Sequence, residues 1–146
     1  DKQCTCGPTQ IIRYQKKISG PLLDRIDLHV EVPRVIFDKL TSDTLGETSA
    51  DIRQRVEEAR NIQTIRFQDS NIHCNSEMRN AEIRQFCKLD DQSIDLLRAA
   101  VTQMHLSARA YNRILKLART IADLGKSDDI KLDHIAEALQ FRAKVD

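Results

Sequence analysis

The chain has 146 residues, 40% hydrophobic and 31% charged, which is typical of one soluble globular domain or of a small domain with an appendage. No apolar run approaches the roughly 18–20 residues of a membrane-spanning helix, and the polar N-terminus is not a signal peptide, so neither a membrane partner nor secretion is expected. The net charge of +1 neither favours nor excludes nucleic acid, because a local basic patch is compatible with a neutral total.

Turn-forming and aromatic residues are scarce, which predicts a mostly helical chain. There are 4 Gly, 3 Pro and 4% aromatic residues. The four cysteines (Cys4, Cys6, Cys74 and Cys87) are widely spaced and follow no secretion signal, so we expect a reducing, cytoplasmic location rather than a disulfide scaffold. The first residue is Asp1 rather than Met, so we expect that the chain was cut from something longer.

The N-terminal part of the chain predicts one short helix and one strand. Residues 9–19 (TQIIRYQKKIS) are expected to form a basic helix that Pro8 opens and Gly20-Pro21 ends. Residues 26–32 then alternate apolar and polar side chains, as a half-buried strand does. No other segment offers a comparable run to pair with. The strand is therefore expected to pair with a second copy or, as we favour, with a sheet formed upstream.

Residues 34–47 are interpreted as a linker, and five helices are expected to follow it. Thr48, Asp90 and Ser107 are predicted to be the N-cap residues of the first, third and fourth helices. Apolar side chains recur at helical spacing in these segments, so we expect one shared core. The predicted boundaries are 48 to about 67, 77–87, 90 to about 104, 107 to about 124, and about 132–142.

Three stretches, taken together, are similar to a known protein family. They are ISGPLLDRIDLHVEVP (18–33), LSARAYNRILKLARTIADL (106–124) and IKLDHIAEALQFR (130–142). In this order and spacing they resemble the C-terminal part of the magnesium-chelatase-like AAA+ ATPases, in the branch of competence protein ComM, also called YifB. The resemblance covers nearly the whole chain, so it is far more specific than a short motif.

The resemblance implies a mainly α fold in two parts. Residues 1–33 look like the end of the AAA+ α/β core, with one helix and one strand, and residues 48–146 look like the five-helix lid domain. The Walker A loop and Walker B carboxylate of the family would lie upstream, and no G-x-x-x-x-G-K-[ST] motif occurs in this sequence. We therefore expect ATP and Mg²⁺ to be cofactors of the full-length protein, whereas the chain alone is expected to be inactive and to bind neither.

Arg25 is the candidate catalytic residue that the resemblance implies. In LLDRID it matches the position at which related AAA+ proteins carry an arginine finger, which acts in trans on the neighbouring subunit's nucleotide. A permanently charged, planar guanidinium is suited to this role because phosphoryl transfer spreads negative charge over the γ-phosphate oxygens. The alternative is an arginine with a structural role, paired with Asp24 or Asp27.

Arg109 is the candidate nucleotide-contacting residue. Ser107-Ala108-Arg109 resembles the sensor-2 motif, in which an arginine in the first turn of a lid helix contacts the γ-phosphate of its own subunit's ATP. A helix N-terminus suits an anion. Arg113, one turn further on, is the second candidate. The alternative is that Arg109, Arg113, Lys116 and Arg119 form an ordinary solvated face.

Metal and DNA contacts are weaker hypotheses. The family carries a second cysteine pair just upstream of Cys4 and Cys6, and four thiolates could bind zinc tetrahedrally, but the pair in this chain is at most half of such a site. We therefore predict no metal site here. Cys87 is expected in the core. The basic helix at 9–19 could contact DNA in an assembled ring, or it could be an ordinary surface.

The function implied by the resemblance is that of a subunit of a hexameric, ATP-driven motor. The expected partners are its own subunits and DNA, and the implied activity is that of a helicase for branch migration during recombination and transformation. Two alternatives remain open at this point. One is the ATPase subunit of a magnesium chelatase, and the other is a free-standing helical module that binds nucleic acid or a protein through a basic stripe at 109–119.

Overall fold

The computed structural model describes residues 5–35 and 46–142, and within them it contains seven α-helices, one 3₁₀ turn and no strand. The predicted linker at 34–47 lies largely outside these residues, as does Cys4. The mainly helical class is confirmed. The helices are α1 (Pro8–Gln15), α2 (Gly20–Leu23), α3 (Ser49–Arg66), α4 (Asn80–Phe86), α5 (Asp91–Gln103), α6 (Ala108–Leu124) and α7 (Leu132–Gln140), and the 3₁₀ turn is Asn75–Glu77.

The three predicted N-caps are confirmed. The side chains of Thr48, Asp90 and Ser107 each accept a hydrogen bond from the backbone N–H three residues further on, at 3.2, 2.8 and 3.1 Å respectively. Each bond satisfies one of the N–H groups that the first turn of a helix leaves without an intrahelical partner. The starts of these three helices could therefore be predicted from short-range chemistry alone.

Helix α6 lies at the centre of the core. It packs against α7, α3, α4 and the 3₁₀ turn, while α5 packs against α7. Phe67 and Phe86 meet edge to face with their ring centroids 5.5 Å apart, which links the end of α3 to the end of α4. The largest apolar side chains buried in this core are Phe67, Met78, Ile83, Leu97, Ile114, Leu115, Ile130 and Ile135.

The predicted strand at 26–32 is not observed in the described residues, where this segment forms neither a strand nor a helix. Its alternating apolar side chains remain 41–84% exposed. Its backbone instead contacts the end of the helical unit, which comprises residues 46–142. The N–H of His29 donates to the carbonyl of Phe141 at 2.8 Å. Alternation alone does not make a strand when no neighbouring strand is available to pair with it.

The helical part of the N-terminal region also differs from the prediction. Helix α1 ends at Gln15, earlier than expected, and Gly20-Pro21 does not simply end a helix. Instead, Gly20–Leu23 forms the single turn α2, with Pro21 among its first residues. A proline is tolerated there because the first turn of a helix has no use for its missing N–H.

A buried carboxylate, that of Asp123, organises the polar part of the core. Its two oxygens accept hydrogen bonds from Arg66 at 2.5 and 2.7 Å, from Asn75 at 2.7 Å and from Arg119 at 3.0 Å. The guanidinium of Arg119 also donates to the carbonyls of Ser127 and Asp128. Arg119 is only 3% exposed, so the interpretation that placed it on a solvated basic face was wrong.

Candidate functional site

The segment 24–29 lies against the start of α6 and the end of α7. The carboxylate of Asp24 accepts a hydrogen bond from the Ser107 hydroxyl at 2.9 Å and contacts a guanidinium nitrogen of Arg142 at 3.3 Å. A second nitrogen of Arg142 donates to the carbonyl of Ile26 at 3.1 Å. These bonds hold the turn that contains Arg25 against the helical unit.

Arg25 is exposed in this turn. Its Nη1 donates to the carbonyl of Pro21 at 3.1 Å, and it forms no ion pair with Asp24 or Asp27 among the described residues. The structural pairing considered as an alternative for Arg25 is therefore not realised, because both carboxylates bind residues of the helical unit instead. The guanidinium remains accessible to a ligand or to another subunit.

Asp27 forms an ion pair with Arg113 of α6. The aspartate side chain is 51% exposed and the arginine side chain is 28% exposed, so the pair lies at the surface and solvent screens it in part. The sequence did not predict this pair. It places one carboxylate from the LLDRID segment next to one of the two candidate phosphate-contacting arginines.

An open cleft of about 470 Å³ lies beside α6. Its walls are the 27–28 segment, the stretch 76–83 and the exposed side of α6. Three cationic side chains of α6 line it, namely Arg109, Arg113 and Lys116. They are four and three residues apart, so the helical repeat brings them to one face. That spacing was visible in the sequence, although it did not show that a cleft faces it.

Arg109 is the second residue of α6, is exposed and lines this cleft. It has no hydrogen bond and no ion pair within the described parts of the chain. Lys116, three residues beyond Arg113, donates from Nζ to the carbonyl of Ser76 at 2.8 Å. Asn112 donates to the side-chain oxygen of Asn80 across the cleft at 3.1 Å. Of the three cationic side chains in the cleft, Arg113 and Lys116 bind other described residues, and Arg109 does not.

The pKa values of two thiols near the core are shifted in opposite directions. Burial would raise the pKa of Cys74, but hydrogen bonds from Ser76 and Arg60 outweigh it, so the pKa lies below its ordinary value. Burial raises the pKa of Cys87 to about 11, with the cationic neighbours Arg119 and Arg66 opposing the shift. Cys87 lies in the core, as predicted, and it stays a thiol at neutral pH.

The described residues contain no group of three or more His, Cys, Asp or Glu side chains placed to hold a metal ion. Cys6 is exposed, and Cys4 is outside the described part of the chain. The basic residues of α1 and the turn after it are also exposed, and Lys17 lies 5.6 Å from the ring centre of Tyr14. In the described ranges no helix is both long and apolar enough to cross a bilayer.

Two family models match the chain along almost its entire length. Residues 46–142 match the model of the C-terminal part of magnesium chelatase subunit ChlI, and residues 1–40 match the model of magnesium chelatase subunit ChlI itself. The first match alone covers more than half of the chain. The chain belongs to the magnesium chelatase ChlI family. The magnesium-chelatase-like resemblance of the three quoted stretches is thereby confirmed.

Within this family the chain is similar to proteins called ComM and YifB. It is 46% identical to competence protein ComM of Haemophilus influenzae over 95% of the chain, and 42% identical to protein YifB of Escherichia coli over 94%. It is 37% identical to YifB of Salmonella typhimurium over 94%. In each case the chain spans 27% of the relative's length.

Proposed function

We propose that the chain is the C-terminal part of a ring-forming AAA+ ATPase, to which it contributes an arginine finger and a nucleotide-sensing lid. The observation that carries this proposal is the shared helix α6. It presents Arg109 and Arg113 to one cleft, and it also binds the carboxylates on both sides of Arg25. The proposed phosphate contacts of Arg109 and Arg113 and the placement of Arg25 therefore all involve this helix.

The two parts of the chain are proposed to belong to different domains of the full-length protein. Residues 1–33 would complete the α/β core, 34–47 would be the linker, and 48–146 would be the lid. Separate family models match 1–40 and 46–142, which supports this division. The exposed apolar side chains between residues 11 and 35 support it too, because a surface of that kind usually lies against other protein.

The nucleotide is proposed to be ATP with Mg²⁺, bound by the rest of the longer protein. Bound ATP would supply the phosphoryl group and Mg²⁺ would neutralise part of its charge. The role of this chain is electrostatic. Arg109 lies in the first turn of α6, where a helix N-terminus favours an anion, and its guanidinium is available to bind a phosphate oxygen. Arg113 adds a second cation to the same cleft.

The finger role of Arg25 is proposed to operate between subunits. The side chain is exposed and lies outside the cleft's lining residues, so it is free to contact a neighbouring subunit's nucleotide. A guanidinium contributed in this way stabilises charge on the transferring phosphoryl group, by as much as about 10³–10⁵-fold in other NTPases.

The experiment is Arg25→Ala in the full-length protein. We expect ATP turnover to fall by at least about 10³-fold while nucleotide binding stays largely intact, because a finger acts on the transition state. Steady-state ATPase assays and binding of a fluorescent, non-hydrolysed ATP analogue measure the two effects. Arg98→Ala, which removes an exposed arginine of α5 paired with Asp95, is the matched control and should keep normal turnover.

A mixing experiment separates action in trans from action in cis. Subunits carrying Arg25→Ala are combined with subunits that cannot bind nucleotide, each inactive by itself. Partial recovery of turnover is expected, because an intact Arg25 then faces a nucleotide-bound neighbour. No recovery in verified mixed rings, or near-normal turnover of the Arg25→Ala protein alone, would remove Arg25 from the proposed role.

The work performed is proposed to be on DNA, as a helicase that drives branch migration in recombination and transformation. The name of its relative, competence protein ComM, supports the link to transformation, whereas branch migration is what the family resemblance implies. Movement of a fluorescent strand junction in the presence of ATP tests it. The family's own name favours a second candidate, the ATPase subunit of a magnesium chelatase, which would show porphyrin-dependent Mg²⁺ insertion and no junction movement.

The free-standing binding module is less well supported by the geometry. That hypothesis needs a continuous basic stripe at 109–119, but Arg119 is buried in an ion pair with Asp123. Lys116 is also partly committed, through its bond to Ser76. If the isolated chain nevertheless bound DNA tightly with a steep salt dependence, the module hypothesis would gain support.

A further inference from the structure

We infer that Asp27 is a positioning residue that links the occupancy of the α6 cleft to the placement of Arg25, an inference that rests on the proposed function. Asp27 touches neither Arg25 nor, in the proposal, the nucleotide. It acts through its ion pair with Arg113, which lines the cleft. Only one residue, Ile26, separates Asp27 from Arg25 along the chain, so a movement of Asp27 is transmitted to Arg25 through very little backbone.

The turn that contains Arg25 is held on α6 at two points. On one side Asp24 accepts the hydroxyl hydrogen bond of Ser107, the N-cap residue of α6, at 2.9 Å. On the other side Asp27 binds Arg113, almost two turns further along the same helix. Arg25 itself makes only a local hydrogen bond to the Pro21 carbonyl among the described residues. Together with Arg142, which follows α7 and binds Asp24 and the carbonyl of Ile26, helix α6 therefore places Arg25.

The two holding points differ in what can displace them. Ser107 is neutral and also caps α6, so an anion in the cleft has little reason to break its bond to Asp24. Arg113, in contrast, is partly exposed and lines the cleft. A terminal phosphate carries more charge than a carboxylate and accepts a bidentate guanidinium contact, so it competes with Asp27 for Arg113.

Loss of Arg113 to a phosphate leaves Asp27 without its partner and close to a second negative charge. Like charges repel, so the Asp27 end of the turn moves away from α6 while the Asp24 end stays. Arg25, between the two, is shifted as a result. In this way binding of a nucleotide by one subunit alters the finger that the same subunit offers to its neighbour, which is a coupling free energy between two sites.

The test is Asp27→Asn in the full-length protein, with binding of a non-hydrolysed ATP analogue and steady-state turnover measured together. We expect Kd to decrease roughly threefold to fivefold, the scale of one partly exposed ion pair that no longer competes. We expect turnover to fall about tenfold, because the placement of Arg25 no longer follows the nucleotide. A residue with a merely structural role would weaken both properties.

The double-mutant cycle with Arg113→Ala makes the test specific. In that background Asp27→Asn should decrease Kd by clearly less than in the wild-type background, because competition for Arg113 is already absent and only the repulsion between Asp27 and the phosphate is relieved. Asp27→Glu keeps the charge and should behave nearly as the wild type. Asp95→Asn, which removes an exposed carboxylate paired with Arg98 on α5, is the matched control and should change neither Kd nor turnover.

Three results would overturn the inference. The first is a Kd for Asp27→Asn that is unchanged or higher than that of the wild type. The second is an equal change of Kd on Asp27→Asn in the wild-type and Arg113→Ala backgrounds. The third is a loss of turnover in Asp27→Glu as large as in Asp27→Asn. Normal ATP hydrolysis by the wild type in the same assays separates these results from failure of the proposed function. A wild-type protein that does not hydrolyse ATP would overturn the proposed function, and this inference with it.

Discussion

Arg109 and Arg119 lie on the same helix and have opposite environments. Arg109 is exposed in the first turn of α6, whereas all three nitrogens of the Arg119 guanidinium donate hydrogen bonds inside the protein. Because Arg119 is also only 3% exposed, its remaining N–H groups are out of reach of a ligand. The contrast identifies Arg109 as the cation of α6 that is most available to an anion.

We therefore predict that Arg109→Ala weakens ATP binding by the full-length protein about tenfold, the scale of one charge-assisted hydrogen bond. Turnover at saturating ATP should also fall, because the lid would respond less to the nucleotide. Titration with a fluorescent ATP analogue and a steady-state assay measure these effects. Arg53→Ala, on the exposed surface of α3, is the control. Unchanged affinity together with unchanged turnover would count against the sensor-2 role.

Among elements, α3, the 3₁₀ turn and α6 are joined by the Asp123 carboxylate. Its partners Arg66 and Asn75 precede it by 57 and 48 residues, so the bonds connect segments that are distant in sequence. The side chain of Asp123 is fully buried. A buried carboxylate is tolerated only when its charge is paired and its lone pairs are satisfied.

Asp123→Asn should accordingly destabilise this chain by about 3 kcal/mol or more, because it leaves the Arg66 and Arg119 charges without a compensating carboxylate. Urea unfolding followed by circular dichroism measures the change. Asp95→Asn removes a carboxylate from an exposed pair on α5 and should change the free energy of unfolding by less than about 1 kcal/mol. Equal effects of the two substitutions would show that the Asp123 network adds little stability.

Interactions between residues close in sequence could be predicted, whereas those between residues distant in sequence could not. The N-caps were predictable because Thr48, Asp90 and Ser107 bond to residues three positions away. The Asp123 network was not, since each of its members resembles a surface residue until the fold brings them together. In α3, helical spacing predicted one apolar stripe, yet Ile52 and Val56 are 43% and 46% exposed. Periodicity indicates a face but not what covers it.

The candidate site was predictable to the same limited extent. Arg25, Arg109 and Arg113 came from the family resemblance, and their roles stay predictions. The pairing of Asp27 with Arg113 could not be seen, because the two residues are 86 positions apart. Lys116 entered only the alternative interpretations, as part of a solvated face or of a basic binding stripe, although its spacing from Arg113 already placed both on one side of α6.

At the scale of the whole molecule, the chain has two unlike surfaces. The helical unit from residue 46 onward buries most of its large apolar side chains, whereas the stretch from Ile11 to Val35 exposes many of them. In the proposed full-length protein this stretch would lie against the AAA+ core. In the chain alone it is open to solvent, and exposed apolar surface of this kind favours association.

We therefore predict that the chain alone binds the hydrophobic dye ANS and self-associates in a concentration-dependent manner. Deletion of residues 1–35 should lower ANS fluorescence several-fold while the helical circular dichroism of the remaining part persists. Fluorescence titration and analytical ultracentrifugation of both chains measure these properties. Equal ANS binding before and after the deletion would show that the exposed apolar surface lies elsewhere.

The contacts of Phe141 and Arg142 have a practical consequence for anyone who engineers the C-terminus. These two residues donate or accept three hydrogen bonds with Asp24, Ile26 and His29, more than a hundred positions earlier. A truncation that stops at Gln140 would remove these three hydrogen bonds and leave the segment beside Arg25 held only by its contacts with Ser107 and Arg113, although it alters nothing near Arg25 in sequence. Loss of activity in such a protein would then be misread as a defect of the lid.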